Sequence, residues 1–423
     1  MSGFLTLQSV EDVLAHMRNF PRMTAEPVPL DLSLGRHLAQ DYVAPEDLPG
    51  FDRTTVDGYA VNARDVFGAS ETNPALLRVV GHCPMGTVPD KTIAPGETMT
   101  ILTGGMLPEG ADCAAMLEYA RPTGTDLVEL TRAQAPWDHV IRRDDDAAKG
   151  ELLLPLGQRL RPQDMGILAA YGELAPSVFA RPKVAVLATG DEVVSCEATP
   201  APGQVRNVNS TTICALCQMV GAAVTQGGIV GDEPALLQTA VGKYVADHDV
   251  IVVTGGSSAG MRDHTVAVFT ALPEAELLVH GVAISPGKPF ISASATVNGR
   301  KIALVGLPGH VTSALVCAHV MLRPLLQHMQ GVSIPVRPVQ VPARLTRSIA
   351  SAQGRRDYVR VRLAPLPQSE APAGCQYAAQ PLPGASGCIS GLTRADGLLV
   401  CPETREGYDA GDIVPVELPW ENA

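Results

Sequence analysis

The chain has 423 residues, 46% of them hydrophobic and 18% charged, and a formal net charge of −12. One hydrophobic core does not serve such a length, so about two to four domains are expected, and the composition excludes a disordered chain. The acidic balance argues against nucleic acid as a partner, because no basic stripe is present to neutralise phosphates, and no apolar run approaches the roughly 20 residues needed to cross a membrane.

The opening segment, MSGFLTLQSVEDVL, lacks the basic flank and apolar centre of a secretory signal. Ser9 with Asp12 resembles a capping box, and Val10, Val13, Leu14 and Met17 follow at helical spacing until Pro21. A second short helix is expected near residues 34–40. From about Arg64 to His139, short runs (LLRVV, ETMTILTGG, CAAMLEY, DLVELT) cut by Gly and Pro predict a β-rich module. A charged hinge, IRRDDDAAKGE, leads to the helical RPQDMGILAAYG. After Pro182 the pattern alternates: KVAVLATG, a helix capped by Asn209 and Ser210, VTQGGIV, the helix EPALLQTAVGKYV, DVIVVTGG, KIALVGLPG and one long helix from His310 to Met329. Such alternation predicts a doubly wound α/β domain. The last ninety or so residues return to short strands (VQVPARL, DYVRVRL, DGLLVC, DIVPVEL) and predict a small antiparallel barrel or sandwich. The nine cysteines, an odd and scattered set, suit the reduced thiols of a cytoplasm, and the isolated Cys214-x-x-Cys217 pair lies inside a predicted helix.

The stretch Asp249 to His264, DVIVVTGGSSAGMRDH, carries the most chemistry. Val250, Ile251, Val252 and Val253 read as a strand buried on both faces of a parallel sheet. Gly255, Gly256, Ser257, Ser258 and Gly260 then let backbone N–H groups approach an anion, with hydroxyls as further donors. That is the crevice in which open α/β sheets bind ligands. Asp263 beside a phosphate site asks for a cation between the two, and a magnesium-bridged phosphate satisfies both. The plainer reading is a glycine turn followed by a helix-start aspartate.

TGDEVV ends another strand, and adjacent strands would make Glu192 and Asp263 two carboxylates for one divalent cation; the alternative is two solvated turn acids. Lys288, in a Pro-Gly-x-Pro bend, is either an anion ligand or a surface lysine. Pro308 and Gly309 form a turn before a helix, a second seat for an anion. On composition alone Asp57 and Thr103 are turn formers, Arg142 to Asp146 a solvated charge run, and GRRDYVR a charged strand edge. GGSSAG is not a dinucleotide fingerprint, and Gly287-Lys288 is not a Walker A loop.

The segments FDRTTVDGYAV, ILTGGMLPEGAD, VIRRDDD, LRPQDMGILAAYG, ATGDEVV, GQVRNVNS, VTGGSSAGMRD, GVAISPGKPF, LPGHVTSAL and SGCISGLTRADGL resemble, in order and over nearly the whole chain, the molybdopterin molybdenumtransferase (MoeA) family, of which the gephyrin E domain is a member. The resemblance implies a multidomain α/β plus β protein. Its parts are a linker and dimerisation domain (1–50 and 141–181), a β-rich insertion domain (51–140), a central doubly wound α/β domain of the MogA type (182–330) and a C-terminal β-barrel (331–423).

The implied activity is molybdenum insertion: adenylylated molybdopterin and molybdate, or tungstate, react with Mg2+ to give molybdenum cofactor and AMP. Family members are cytoplasmic homodimers. By position, Glu192 and Asp263 match metal and pyrophosphate residues, with Asp232 nearby, and Asp57, Thr103 and Lys288 match catalytic positions. Arg142, Asp146, Gly255, Gly256, Ser257, Ser258, Pro308 and Gly309 match substrate contacts. Lys288, Ser313, Arg355 and Ser386 match the positions that hold molybdate. In such a dimer Asp57 and Glu192 meet only between subunits. The competing implications are a molybdopterin adenylyltransferase and a non-catalytic cofactor-binding or scaffold paralogue. Departures from the family pattern are Ser285 for a lysine, His310-Val311 for Asn-Pro, and Met261 for an acidic or small residue. One lysine fewer lowers the charge of an oxyanion pocket, which a protonated His310 would offset.

Overall fold

The β-branched run at 250–253 forms the strand Val250–Thr254, and all four of its first side chains are buried. In the computed structural model, which describes residues 7–255, 259–332, 338–367 and 374–419, this strand is third in a six-stranded sheet. The order is Ala223–Val230, Lys183–Thr189, Val250–Thr254, Arg300–Leu307, Ile291–Val297 and Glu276–His280. The first four strands are parallel, and the last two join antiparallel. Alternation along Val250–Thr254 feeds two cores. Val250 and Val252 pack with Val184, Ile213 and Leu325, whereas Ile251 and Val253 pack with Leu187, Leu237 and Phe269. Each such side chain contributes roughly 1.5–3 kcal/mol by leaving water.

The chain runs from Lys183–Thr189 out to Ala223–Val230 on one side, then returns to Val250–Thr254 on the other. The order reverses between the carboxyl ends of Lys183–Thr189 and Val250–Thr254, the place where such sheets take ligands. The TGDEVV and TGGSSAG loops therefore leave neighbouring strands, as expected.

Two local expectations are corrected. Residues 34–40 are not helical: a 3-10 turn, Leu30–Leu32, precedes them, Gly35 sits at φ +75, and His37 and Leu38 bridge to Arg159 and Val178. The long helix after His310 is α over Val311–Cys317, π over Ala318–Leu322 and α again over Arg323–Met329. Pro324 has no N–H to return to the preceding turn, which accounts for the local widening.

The sheet belongs to one of two compact units, formed by Met1–Ala39, Gly157–Pro162 and Ala175–Ala423; the other comprises Gln40–Leu156 and Gln163–Leu174. Within the first unit, five strands close a barrel: Arg356–Pro365, Tyr377–Pro381, Val339–Leu345, Ile413–Leu418 and Gly397–Cys401, which pairs back to Arg356–Pro365. It is not wholly antiparallel, because Val339–Leu345 and Tyr377–Pro381 run parallel. Ala343, Leu345, Val361, Ala379, Leu399, Val414 and Val416 fill it. The second unit is β-rich. Its sheet has the order Cys113–Met116, Gly58–Val61, Glu97–Ile101, Ala75–His82, Leu127–Leu130 and Ala120–Thr123.

His37 and His319 are among the buried imidazoles of the first unit. Burial, aided by nearby arginines, lowers His37 to about 4 and His319 to about 3. Folded-state values below the unfolded one mean that their contribution is complete above about pH 6.5 and is lost as pH falls toward 4. Denaturant midpoints are expected to drop across that window with net proton uptake on unfolding, and His37→Leu should flatten the slope. An unchanged slope in that variant would refute the assignment.

Candidate active site

Each loop at the sheet's switch point begins with a glycine held in the left-handed region. Gly190 has φ +138, and a Cβ there would come within 2.7 Å of Glu192 Oε2. Gly255 has φ +135, and its Cβ would lie 2.3 Å from Thr189 Oγ1 and 2.4 Å from the Thr189 carbonyl. Only glycine lets the two loops leave the sheet this close together. Asn209 braces the same corner, its amide donating to Thr254 Oγ1 at 2.9 Å and to the Gly309 carbonyl at 2.8 Å. The cap of its helix is Asn207, which accepts from the Ser210 N–H at 3.1 Å, a correction to the expected Asn209/Ser210 cap.

Around this corner the structure gathers acids. Asp191 Oδ1 accepts the Asp232 N–H at 3.0 Å. Burial first, then the Asp191 and Glu192 charges, raise the Asp232 carboxyl above its usual range, while His264 pulls the other way. Among the described residues, Asp232 Oδ1 and His264 Nδ1 are buried without a hydrogen-bond partner. Asp263 is exposed on the helix Ala259–Thr270 that follows the second loop. Gly256, Ser257 and Ser258 lie outside the described residues, as does the side chain of Met261.

An all-oxygen set with an orphaned buried carboxylate oxygen suits Mg2+, which accepts one or two carboxylates and fills its shell with water and phosphate. Among the described residues no three His, Cys, Asp or Glu side chains converge into a metal cage. Asp232→Asn, which removes a crowded charge, is expected to raise the melting temperature in EDTA and to shrink the gain on adding magnesium. Equal magnesium shifts in variant and parent would place the ion elsewhere.

The oxyanion candidates of the first unit sit on adjoining segments. Pro308 and Ser313 are buried at the head of the Val311–Cys317 helix, and Gly309 is half-buried. Ser386, from a barrel loop, accepts the Thr312 N–H through its carbonyl at 3.0 Å, and its hydroxyl shares a 2.8 Å hydrogen bond with His310 Nδ1. Thr312 Oγ1, missed by sequence reasoning, is buried beside them without a partner among the described residues. The bend carrying the exposed Lys288 is seated on the same helix, since the Cys317 thiol donates to the Gly287 carbonyl at 3.3 Å. Ser285 pairs with Asp357 across a short parallel ladder. Arg355 Nε reaches Asp357 at 2.9 Å, so part of its charge is already answered.

In the β-rich unit, Asp57 accepts both the N–H (2.7 Å) and the hydroxyl (2.8 Å) of Thr103. Those bonds, the backbone one first, hold its carboxyl below the usual range and keep it ionised. Arg142 pairs with Asp145 at 3.3 Å and lies over the Trp137 ring, and Asp146 is exposed. Partial burial pushes the Cys214 thiol up to about 11, and fuller burial pushes the Cys217 thiol higher, which disfavours the thiolate in both. A cavity of about 750 Å³ lined by Ile349, Gln353, Arg405 and Tyr408 contains none of the expected site residues.

Three family models match in succession: MoeA N-terminal region (domain I and II) over 8–172, Probable molybdopterin binding domain over 185–328, and MoeA C-terminal region (domain IV) over 342–418. Molybdopterin molybdenumtransferase 2 of Mycobacterium tuberculosis is 35% identical, over 97% of this chain and 98% of that protein. The molybdopterin molybdenumtransferase of Bacillus subtilis is 29% identical, over 97% and 96%. A crystal structure of a molybdopterin biosynthesis MoeA protein from Pyrococcus horikoshii superposes with TM-score 0.82 at 33% identity, covering 98% of this chain and 99% of that one. Fold and matches define a multidomain protein built around an α/β domain of the molybdopterin-binding type. The chain belongs to the MoeA family, the molybdopterin molybdenumtransferases.

Proposed function

We propose that this chain is a molybdenum insertase: a transferase of molybdenum cofactor biosynthesis that takes adenylylated molybdopterin and molybdate, or tungstate, and releases molybdenum cofactor and AMP. The observation that carries the reading is the orphaned Asp232 carboxylate oxygen beside the Asp191–Glu192 loop, which leaves a strand next to the point where the sheet order reverses. Glu192 and Asp263 would hold a magnesium ion, which would supply charge neutralisation at the phosphoanhydride. Gly190 and Gly255 let backbone donors close on the pyrophosphate. Lys288, Ser313, Ser386 and Arg355 hold the tetrahedral dianion, with Asp357 and Ser285 reducing the free positive charge around it. Asp57, fixed and ionised, offers an acceptor that needs no reorganisation.

The working form is a homodimer in the cytoplasm; all nine cysteines are free thiols, which supports a reducing compartment. The test is to incubate the protein with adenylylated molybdopterin and magnesium, with and without molybdate, and to follow AMP. Oxyanion-dependent release is the expected result. ATP-dependent adenylylation of free molybdopterin, or binding without turnover, would overturn the reading.

A further inference from the structure

We propose that Trp137 and Arg142 form a ledge on which a flat nitrogen heterocycle of the substrate stacks. The identity of that heterocycle, pterin or adenine, rests on the insertase reading; the ledge itself rests on the β-rich unit alone.

Trp137 is 43% exposed, although an indole gains more than almost any side chain from leaving water. Its backbone is unusual as well. Among the described residues five non-glycine residues have positive φ, and three of them lie within eight positions: Trp137 at +71, His139 at +59 and Asp144 at +67. A bulky residue in that region is strained, and such strain persists only where neighbours over-determine it. Here they do. The Trp137 N–H donates to the Asp112 carbonyl at 2.7 Å, the Ala114 N–H to the Asp138 carbonyl at 3.1 Å, and the Thr55 N–H to the His139 carbonyl at 2.8 Å. Val140 then pairs with Thr54. The fold spends backbone strain to hold an aromatic ring at the surface.

The ring is not bare. The Arg142 guanidinium lies over it, 5.5 Å from its centroid, and is steadied by Asp145 at 3.3 Å, so two planar groups are layered and a further flat ring can add to the stack. The same framework carries the polar pair of this unit: Arg53–Thr54, which pairs with Val140–Ile141, leads directly to Asp57, and the Thr54 N–H donates to the Gly105 carbonyl beside Thr103. Pterin and purine rings stack on indole and guanidinium faces without requiring a particular edge pattern.

The test uses the full chain carrying Trp420→Phe, which leaves Trp137 as the sole tryptophan. AMP, a simple pterin and ribose 5-phosphate are titrated separately by fluorescence, corrected for absorbance, and by calorimetry. Saturable quenching by AMP or by the pterin is expected, with none from ribose 5-phosphate, and the ring that quenches identifies its source. Trp137→Gly, which removes the ring and suits the backbone, should weaken binding of that ring about tenfold or more, and Trp137→Phe only a few-fold. The ledge is overturned if neither ring quenches, if Trp137→Gly binds as the parent does, or if the emission responds only to protein concentration, which would make the residue a contact between copies. Ring binding without oxyanion-dependent AMP release sinks the insertase reading alone. Normal release with unaltered ring binding in Trp137→Gly sinks the ledge alone.

Discussion

Asp263→Asn is expected to cut oxyanion-dependent AMP release by about a hundredfold or more while leaving the melting temperature within about 2 °C. The side chain is exposed, so little packing is lost. What changes is charge: an amide oxygen is a poor partner for magnesium, and the phosphate would face one carboxylate-bound cation fewer. The homodimer proposal sharpens the experiment. Chains carrying only Asp57→Asn and chains carrying only Asp263→Asn, each inactive alone, are expected to regain about a quarter of the parental rate when co-expressed. Random pairing makes half the dimers mixed, and each mixed dimer holds one intact site of two. No recovery would exclude a site shared between chains, and a full rate in Asp263→Asn alone would remove that residue from the chemistry.

The second large effect is structural. Gly255→Ala places a methyl 2.3 Å from Thr189 Oγ1 and 2.4 Å from the Thr189 carbonyl, on a backbone at φ +135. Neither strand can yield, because the residues just behind the turn are fully buried. A loss of roughly 3–5 kcal/mol in urea denaturation is expected, with AMP release abolished. Gly166→Ala is the control. It sits exposed in the helix Pro162–Ala170 with nothing within 4 Å of the added methyl, and should be neutral or stabilising by about 0.5–1 kcal/mol. Similar losses in both would mean that the close approach at Gly255 is relieved by an easy shift.

The main sheet was legible because its signal is local: a β-branched run ending in glycine marks a strand and a turn wherever it stands. Adjacency of the Glu192 and Gly255 loops was legible too, since alternating β and α segments permit few strand orders. The missed features depend on distant partners. Residues 34–40 have helical spacing, yet Arg159 and Val178 draw His37 and Leu38 into bridges. Asn209 reads as a cap residue, whereas its amide spans two loops 45 and 100 residues away. Nothing near Thr312 announces that its hydroxyl ends up buried and unanswered. The parallel pairing inside the barrel hinges on a crossover that no local pattern reveals.

The two-sided seating of Val250–Thr254 has a consequence for how the candidate site's corner ages under heat. Its amides, locked between flanking parallel strands and capped by side chains on both faces, have no route to solvent except collapse of the whole sheet. Deuterium uptake there should track global opening, and the temperature at which catalysis dies should coincide with that at which the sheet melts, since the anchor of the glycine loop does not loosen beforehand.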